Sequence, residues 1–175
     1  MTNYVNVVKR KEMAPGDASV MHKWFRDQAR IKPGFFYDIQ VDDNNEITSI
    51  FWADSVMIAD YACFGDFVSF DTTYRTNKQY RPLSIFVGFN YHKGTCVFGG
   101  ALLYEETTIA FKWLFEAFMR CMNYKLPQTL MTDQAPAIAD VVREVLPGVY
   151  HALCSWHIDQ NARKELGARA TFFFF

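Results

Sequence analysis

In the first third of the chain, segments with the hydrophobic spacing of a helix alternate with segments that have the pattern of β-strands. Apolar residues recur at helical spacing through DASVMHKWFRDQAR, and Pro33 ends that pattern. The β-rich runs 35–41 and 47–52 flank the turn-rich segment DDNNE, which predicts a hairpin. A second helical pattern covers 53–64 and ends at Gly65. This part of the chain therefore predicts a helix, a hairpin and a second helix.

From residue 67 onward, short apolar runs alternate with helical patterns. The predicted strands are 67–71, two runs within 81–104 joined by a turn at 92–94, then 128–133 and 149–154. The predicted helices are 107–121, 136–146 and one that begins at 155. The order β-β-β-α-β-α-β-α predicts an α/β fold with a mixed sheet covered by helices.

Several large and small apolar residues have predicted packing roles. Trp113, Phe115 and Phe118 on the helix 107–121, like Trp24 and Phe25 before them, are expected in the core rather than on a binding surface. Gly99 and Gly100 lie within a strand, where a glycine pair indicates a bulge or close backbone packing.

Composition restricts the class of protein. The 175 residues suit one domain, and 50% hydrophobic with 21% charged residues exclude disordered, collagen-like and coiled-coil chains. The apolar runs are shorter than the roughly 18 residues of a membrane span, and the first residues contain no apolar signal segment. Four cysteines without a CxxC pair suit reduced thiols in an intracellular protein.

The formal net charge is -1, whereas a free-standing nucleic-acid-binding domain usually has a basic excess. Any contact with DNA must therefore be local, or be made by another part of a longer protein.

Two acids stand where short apolar strands are predicted to end. Asp71 closes FVSFD and Asp133 closes QTLMTD. Ligand sites of open α/β sheets gather at the carboxyl ends of strands, so neighbouring strands would bring the two carboxylates together. Such a pair is a usual way to bind Mg²⁺ with substrate phosphates. The alternative is that both acids cap turns, where aspartate is common.

A thiol and an imidazole one helical turn apart form a second candidate site. Cys154 and His157 supply half of a zinc site, and His151 on the preceding strand is the nearest further ligand. Because no fourth ligand is near, we favour a buried Cys154 with His157 hydrogen-bonded beside the acids. The functional alternative places His157 near the path of a phosphate.

Basic and aromatic side chains follow the first acid. Tyr74, Arg75, Lys78 and Arg81 are candidates for contact with nucleic acid, because cations track phosphates and aromatic rings stack on bases. A solvated hairpin loop explains the same residues, and both interpretations stay open.

Three motifs, in order, carry a family resemblance. They are FWADSVMIADYACFGDFVSFDTTYRTNKQYRPLSIFVGFNYH, MTDQAPAI and CSWH, within residues 33–166. The chain resembles the transposase domain of Mutator-like elements (MULE), and most of all the plant FAR-RED IMPAIRED RESPONSE-related proteins, transcription regulators derived from such transposases. The resemblance implies an RNase H-like fold with a DDE-type acidic site. Asp71 and Asp133 match the first two acids, and Cys154 and His157 match the CxxH motif.

The chain also departs from the family pattern. The third acid, a Glu, is expected downstream of CxxH, and the chain stops at Phe175 before that region. Glu165 lies in the same predicted helix as His157 and is not taken as the third acid. The N-terminal zinc-binding domain and the C-terminal SWIM zinc finger of full-length relatives are missing, and ATFFFF matches nothing in the family. We expect an RNase H-like fold that is incomplete at the C-terminus, from a truncated or mis-spliced gene model.

These observations predict four parts: an N-terminal helical segment (1–32), a hairpin and helix (33–66), the transposase-derived core (67–166) and a tail outside the family pattern (167–175). The resemblance implies a DNA-associated regulator in the nucleus that is not catalytic and that forms homo- or heterodimers with relatives. Mg²⁺ would bind Asp71 and Asp133 if the acidic site functions, and zinc is not expected in this fragment. The alternatives are a fragment of a divalent-metal DDE transposase and a protein-interaction module without DNA contact.

Overall fold

The structure is a computed structural model that describes residues 15–73 and 81–166. Its helices are α1 (Pro15–Ile31), α2 (Ser55–Phe64), α3 (Thr108–Cys121), α4 (Pro136–Val145) and α5 (Ser155–Leu166). Its strands are β1 (Phe36–Val41), β2 (Ile47–Ala53), β3 (Phe67–Thr73), β4 (Leu83–Phe89), β5 (Thr95–Leu102), β6 (Thr129–Thr132) and β7 (Tyr150–Leu153). Within the described ranges, no helix is both long and apolar enough to cross a membrane.

All of these strands form one mixed sheet in the order β1-β2-β5-β4-β3-β6-β7. The strands β3, β4 and β5 form an antiparallel meander, and β6 and β7 add in parallel beyond β3. This arrangement confirms the predicted element order from residue 67 and the RNase H-like fold. The β1-β2 hairpin is also confirmed, and the antiparallel pairing of β2 with β5 joins it to the same sheet.

The strand β3 is longer than the sequence pattern predicts. Its pairing with β4 continues to Thr73, which faces Leu83, so Asp71 lies inside the strand rather than at its end. Thr72 and Thr73 are β-branched residues that suit an extended backbone, and the hydroxyl of Thr72 is 3.2 Å from that of Ser84 on β4.

Aromatic rings between the sheet and α3 form the centre of the core. Phe86 on β4 stacks on Phe118 of α3 with 4.1 Å between ring centroids, and Phe115 meets Phe70 at 5.0 Å. Phe115 and Phe118 are buried, as predicted. Phe25 is buried as well, but Trp24 is 52% exposed, so the core prediction was wrong for that side chain. Phe25 packs against the hairpin, with 6.0 Å between its ring centroid and that of Tyr37 on β1.

Glycines on the central strands allow aromatic rings to approach the backbone. A Cβ atom on Gly99 would lie 2.8 Å from the Phe51 ring, and one on Gly100 would lie 2.9 Å from Trp52. The ladder between β4 and β5 also shifts register between Phe86 and Val87. Close packing and a local irregularity therefore both occur where the glycine pair indicated them.

We expect Gly88→Ala to lower the free energy of unfolding by about 1–3 kcal/mol, as overpacking of a dense core does. The added methyl group would lie 2.4 Å from the Phe98 ring and 2.8 Å from the carbonyl oxygen of Phe67. Urea denaturation measures the change, with Thr95→Ala on the exposed start of β5 as the control. Equal stability of the two variants would contradict the packing described here.

Candidate functional site

Parallel pairing of β3 with β6 brings the two predicted acids together near the carboxyl ends of these strands. Ser69 on β3 faces Met131 on β6. Side chains alternate along strands, so two residues further on Asp71 and Asp133 follow on the same side of neighbouring strands. Both acids line a cleft of about 300 Å³.

The walls of this acidic cleft come from three directions. Phe70 and Thr72 flank the first acid on β3, Phe111 of α3 contributes an apolar wall, and the start of α4 closes the side next to Asp133. The lining residues at that helix end are Ala135, Pro136, Ala137 and Ile138. A helix N-terminus carries partial positive charge, so it favours the negative charge of the carboxylates.

Asp133 has a local structural contact as well as its place in the cleft. Its Oδ1 accepts a hydrogen bond from the backbone N–H of Ala135 at 3.1 Å, which orders the turn before α4. The turn interpretation of Asp133 thus describes a real contact. That bond uses only one of the two carboxylate oxygens. The same side chain can therefore order the turn and also act as a metal ligand.

A third carboxylate, which the sequence analysis missed, lines the same cleft. Glu106 lies between β5 and α3, directly before Thr107, whose hydroxyl accepts a hydrogen bond from Ala110 N–H. Nothing in the local pattern marks this residue, because an acid before a helix is ordinary. Among residues 15–73 and 81–166, no three His, Cys, Asp or Glu side chains are grouped closely enough to hold a metal ion.

The CxxH motif lies at the junction of β7 and α5, next to the first acid. The Nε2 atom of His157 is 3.7 Å from Oδ1 of Asp71, which is too long for a hydrogen bond and short enough for an ion pair with a protonated imidazole. Its Nδ1 atom is buried and has no hydrogen-bond partner in the described part of the chain. Cys154 is half-buried and free.

The helix α5 is also tied to the loop after β6. The side-chain amide of Asn161 donates a hydrogen bond to Oε1 of Gln134 at 2.9 Å. Gln134 directly follows the second acid. The helix that carries His157 therefore contacts both acid-bearing segments, through Asp71 and Gln134.

His151 supports the site from the edge strand rather than joining the CxxH pair. Its Nε2 atom is 2.8 Å from the hydroxyl of Thr132, which donates a hydrogen bond to the carbonyl oxygen of Asp133. Since that hydroxyl has one proton, His151 acts as the donor toward it, with its proton on Nε2. Burial lowers the pKa of His151 from its ordinary value of 6.5.

Stability is expected to fall as the pH drops below about 6.5, because His151 takes up a proton more readily in the unfolded chain than in the folded protein. The loss ends below the lowered folded-state pKa, where both states are protonated. Urea denaturation between pH 7.5 and 5 measures the slope, and His151→Gln should make it shallower. His92→Gln, in an exposed turn, is the control for the loss of an imidazole elsewhere in the chain. An identical slope in His151→Gln would contradict the assignment.

The predicted nucleic-acid contacts have different outcomes. Tyr74, Arg75 and Lys78 lie outside the described residues. Arg81 is only 8% exposed: its guanidinium donates to the carbonyl oxygen of Thr48 and lies 5.3 Å from the centre of the Tyr104 ring. Desolvation lowers the pKa of this guanidinium. Arg81 therefore packs inside the protein, and is not on the surface where a DNA contact requires it.

The RNase H-like sheet with acids on adjacent strands is the architecture implied for a transposase-derived core. Residues 67–161 match the family described as the MULE transposase domain, and the chain belongs to this family.

Relatives in Arabidopsis thaliana extend the likeness beyond those residues. The chain is 35% identical to Protein FAR1-RELATED SEQUENCE 7 over 168 residues, which cover 95% of the chain and 22% of that protein. It is 35% identical to Protein FAR-RED IMPAIRED RESPONSE 1 over 143 residues, which cover 82% of the chain and 17% of that protein. The chain thus spans about a fifth of the length of these curated relatives.

Among solved structures, the chain is similar to the HTLV-2 integrase catalytic core domain in complex with magnesium. The identity is 18%, the TM-score is 0.34, and the match covers 61% of this chain and 76% of that one. The RNase H-like fold is evident from the strand order alone.

Proposed function

We propose that this chain is the transposase-derived core of a FAR1-related nuclear regulatory protein, and that it associates with DNA without cutting it. The likeness to FAR1-RELATED SEQUENCE 7 over 95% of the chain carries this proposal. The nuclear, regulatory role is the one that the sequence resemblance implies. In the whole protein, homo- or heterodimers with relatives would place two such cores on one DNA.

The negative charge of the acidic cleft affects how a DNA phosphate would bind there. Asp71, Asp133 and Glu106 line one small cleft, and their negative charge repels a phosphate. A cation held by the carboxylates would offset that repulsion. A DNA phosphate is therefore expected to enter the cleft only with a divalent cation present.

The donor chemistry of the cleft fits Mg²⁺. Mg²⁺ takes hard oxygen ligands and is commonly bound by one or two carboxylates with waters and phosphate oxygens. Asp71 and Asp133 would hold the ion. When bound, it supplies positive charge for a phosphate. Phe111 and the start of α4 limit the space around the two carboxylates. Zinc fits less well, since Cys154 and His157 supply only two of four ligands.

A second candidate function is DNA strand cleavage by a DDE-type site. The observation that favours it is the placement of Asp71 and Asp133 in one cleft on adjacent parallel strands. In that case the same carboxylates would position a divalent ion for attack by water on a phosphodiester. The two proposals share the cleft and differ in whether a strand is broken.

One experiment separates these functions. The purified 175-residue chain is tested for duplex and single-stranded DNA binding at about 50 and 200 mM salt, and for Mg²⁺-dependent nicking of supercoiled plasmid. We expect binding that weakens steeply with salt, as phosphate contacts do, and no nicking. Nicking that disappears in Asp71→Asn and persists in Asp66→Asn would favour the enzyme. No binding to either DNA at low salt would favour a protein-interaction module instead.

A further inference from the structure

An exposed tryptophan lies next to the histidine that faces the first acid of the cleft. Trp156, the second residue of α5, is 62% exposed. Its ring centroid is 4.8 Å from that of His157, and the two planes meet at 75°. The same imidazole is 3.7 Å from the carboxylate of Asp71. One histidine side chain therefore separates the indole from the first acid of the cleft.

The geometry leaves the indole available to a ligand. In an edge-to-face pair, the imidazole covers either an edge or one face of the indole, so at least one face stays uncovered by His157. Leu153, at the end of β7, is exposed as well. By contrast, Trp52 and Trp113 are half-buried within the fold. Tryptophan is enriched at binding interfaces, where its ring provides a large apolar contact area and its N–H a polar group.

We propose that Trp156 stacks on an unpaired nucleobase of a DNA strand whose phosphate lies in the acidic cleft. The inference rests on the proposed association with DNA and adds a site for a base beside the site for a phosphate. Every base offers a π-face, so stacking on tryptophan binds single-stranded DNA without reading its sequence. His157 contacts both the Trp156 ring and the carboxylate of Asp71, so one ligand could reach the indole and the cleft together. This arrangement favours a nucleotide, which has both a base and a phosphate, over a partner protein.

The test uses fluorescence anisotropy of a labelled 12-nucleotide single strand with the full chain in Mg²⁺ and low salt. Trp156→Ala should weaken binding about 5- to 150-fold, the usual range for the loss of one stacked base. Trp156→Phe should retain most of the affinity, because it keeps an aromatic face. Trp24→Ala, which removes a tryptophan that is 52% exposed on α1, is the matched control and should bind like the wild type.

A strand of the same length with one abasic position at each place in turn identifies the stacked base. At one position, removal of the base should weaken wild-type binding as much as Trp156→Ala weakens binding to the intact strand. Removal of the same base should weaken the binding of the Trp156→Ala variant little further. If wild type binds the strand and Trp156→Ala binds equally well, stacking is wrong and the proposed function stands. If the wild type binds no DNA, the proposed function fails, and the stacking proposal fails with it.

Discussion

Replacing Phe86 with alanine is expected to lower the free energy of unfolding by about 3–5 kcal/mol, the usual cost of removing a fully buried phenylalanine side chain. The Phe86 ring is completely buried and lies parallel to Phe118, with 11° between the planes. It also contacts Phe70 at 4.8 Å and Phe115 at 5.4 Å between centroids. Its removal leaves a cavity between the sheet and α3 that these rings fill only in part.

The position of Phe86 also links the core to the acidic cleft. Phe86 faces Phe70 across β3 and β4, and Phe70 directly precedes Asp71. Urea denaturation followed by circular dichroism measures the loss. Phe89→Ala, at the end of the same strand and 51% exposed, is the matched control and should cost less than about 1 kcal/mol. Similar losses in both variants would contradict the central place of Phe86 in the core.

Asp71→Asn is expected to abolish most of the stabilisation that Mg²⁺ confers on the wild type. An ion held by two carboxylates loses one charged ligand in this variant, while the side chain keeps its size. A dissociation constant of about 1 mM would give about 1.4 kcal/mol of added stability at 10 mM Mg²⁺. In the absence of Mg²⁺ the variant should be at least as stable as the wild type, because the mutual repulsion of the carboxylates is reduced.

Thermal unfolding with 0 and 10 mM Mg²⁺, at constant ionic strength, measures this response. Asp66→Asn is the matched control, since Asp66 is an exposed carboxylate just before the opposite end of β3. The Asp66 variant should keep the wild-type response. A full Mg²⁺ response in Asp71→Asn, or a loss in Asp66→Asn, would place the ion elsewhere.

Much of the fold could be predicted from local pattern, because the elements are bounded by strong signals. Pro136 begins α4, as its missing N–H and fixed φ favour, and Thr107 caps α3 through its hydroxyl. The second acid was also placed correctly, to within one residue, at the end of its strand, because β6 ends at Thr132. The end of β3 was predicted too early in the chain. Its last residues are extended because they pair with β4, and a contact between separate strands has no local signal.

Other features of the site depend on tertiary contacts that have no local signature. Glu106 belongs to the acidic cleft because the loop between β5 and α3 lines the same space as Asp71 of β3, and its neighbours in sequence do not indicate this. Arg81 was expected on the surface on account of its charge, yet Thr48 and Tyr104 hold it inside. Trp156 was not singled out, since an exposed tryptophan is recognised only once the packing is known.

The most direct test of the central claim, that Asp71 and Asp133 share one cation site, is a crystal structure of the chain soaked in Mn²⁺, with anomalous data to locate the ion. We expect an anomalous peak about 2.0–2.3 Å from a carboxylate oxygen of each residue, the usual distance for a hard divalent ion. The two side chains should be neighbours, with Asp71 on β3 and Asp133 directly after the adjacent parallel strand β6. A peak that touches only one of them, or carboxylates on separate surfaces of the sheet, would contradict the shared site.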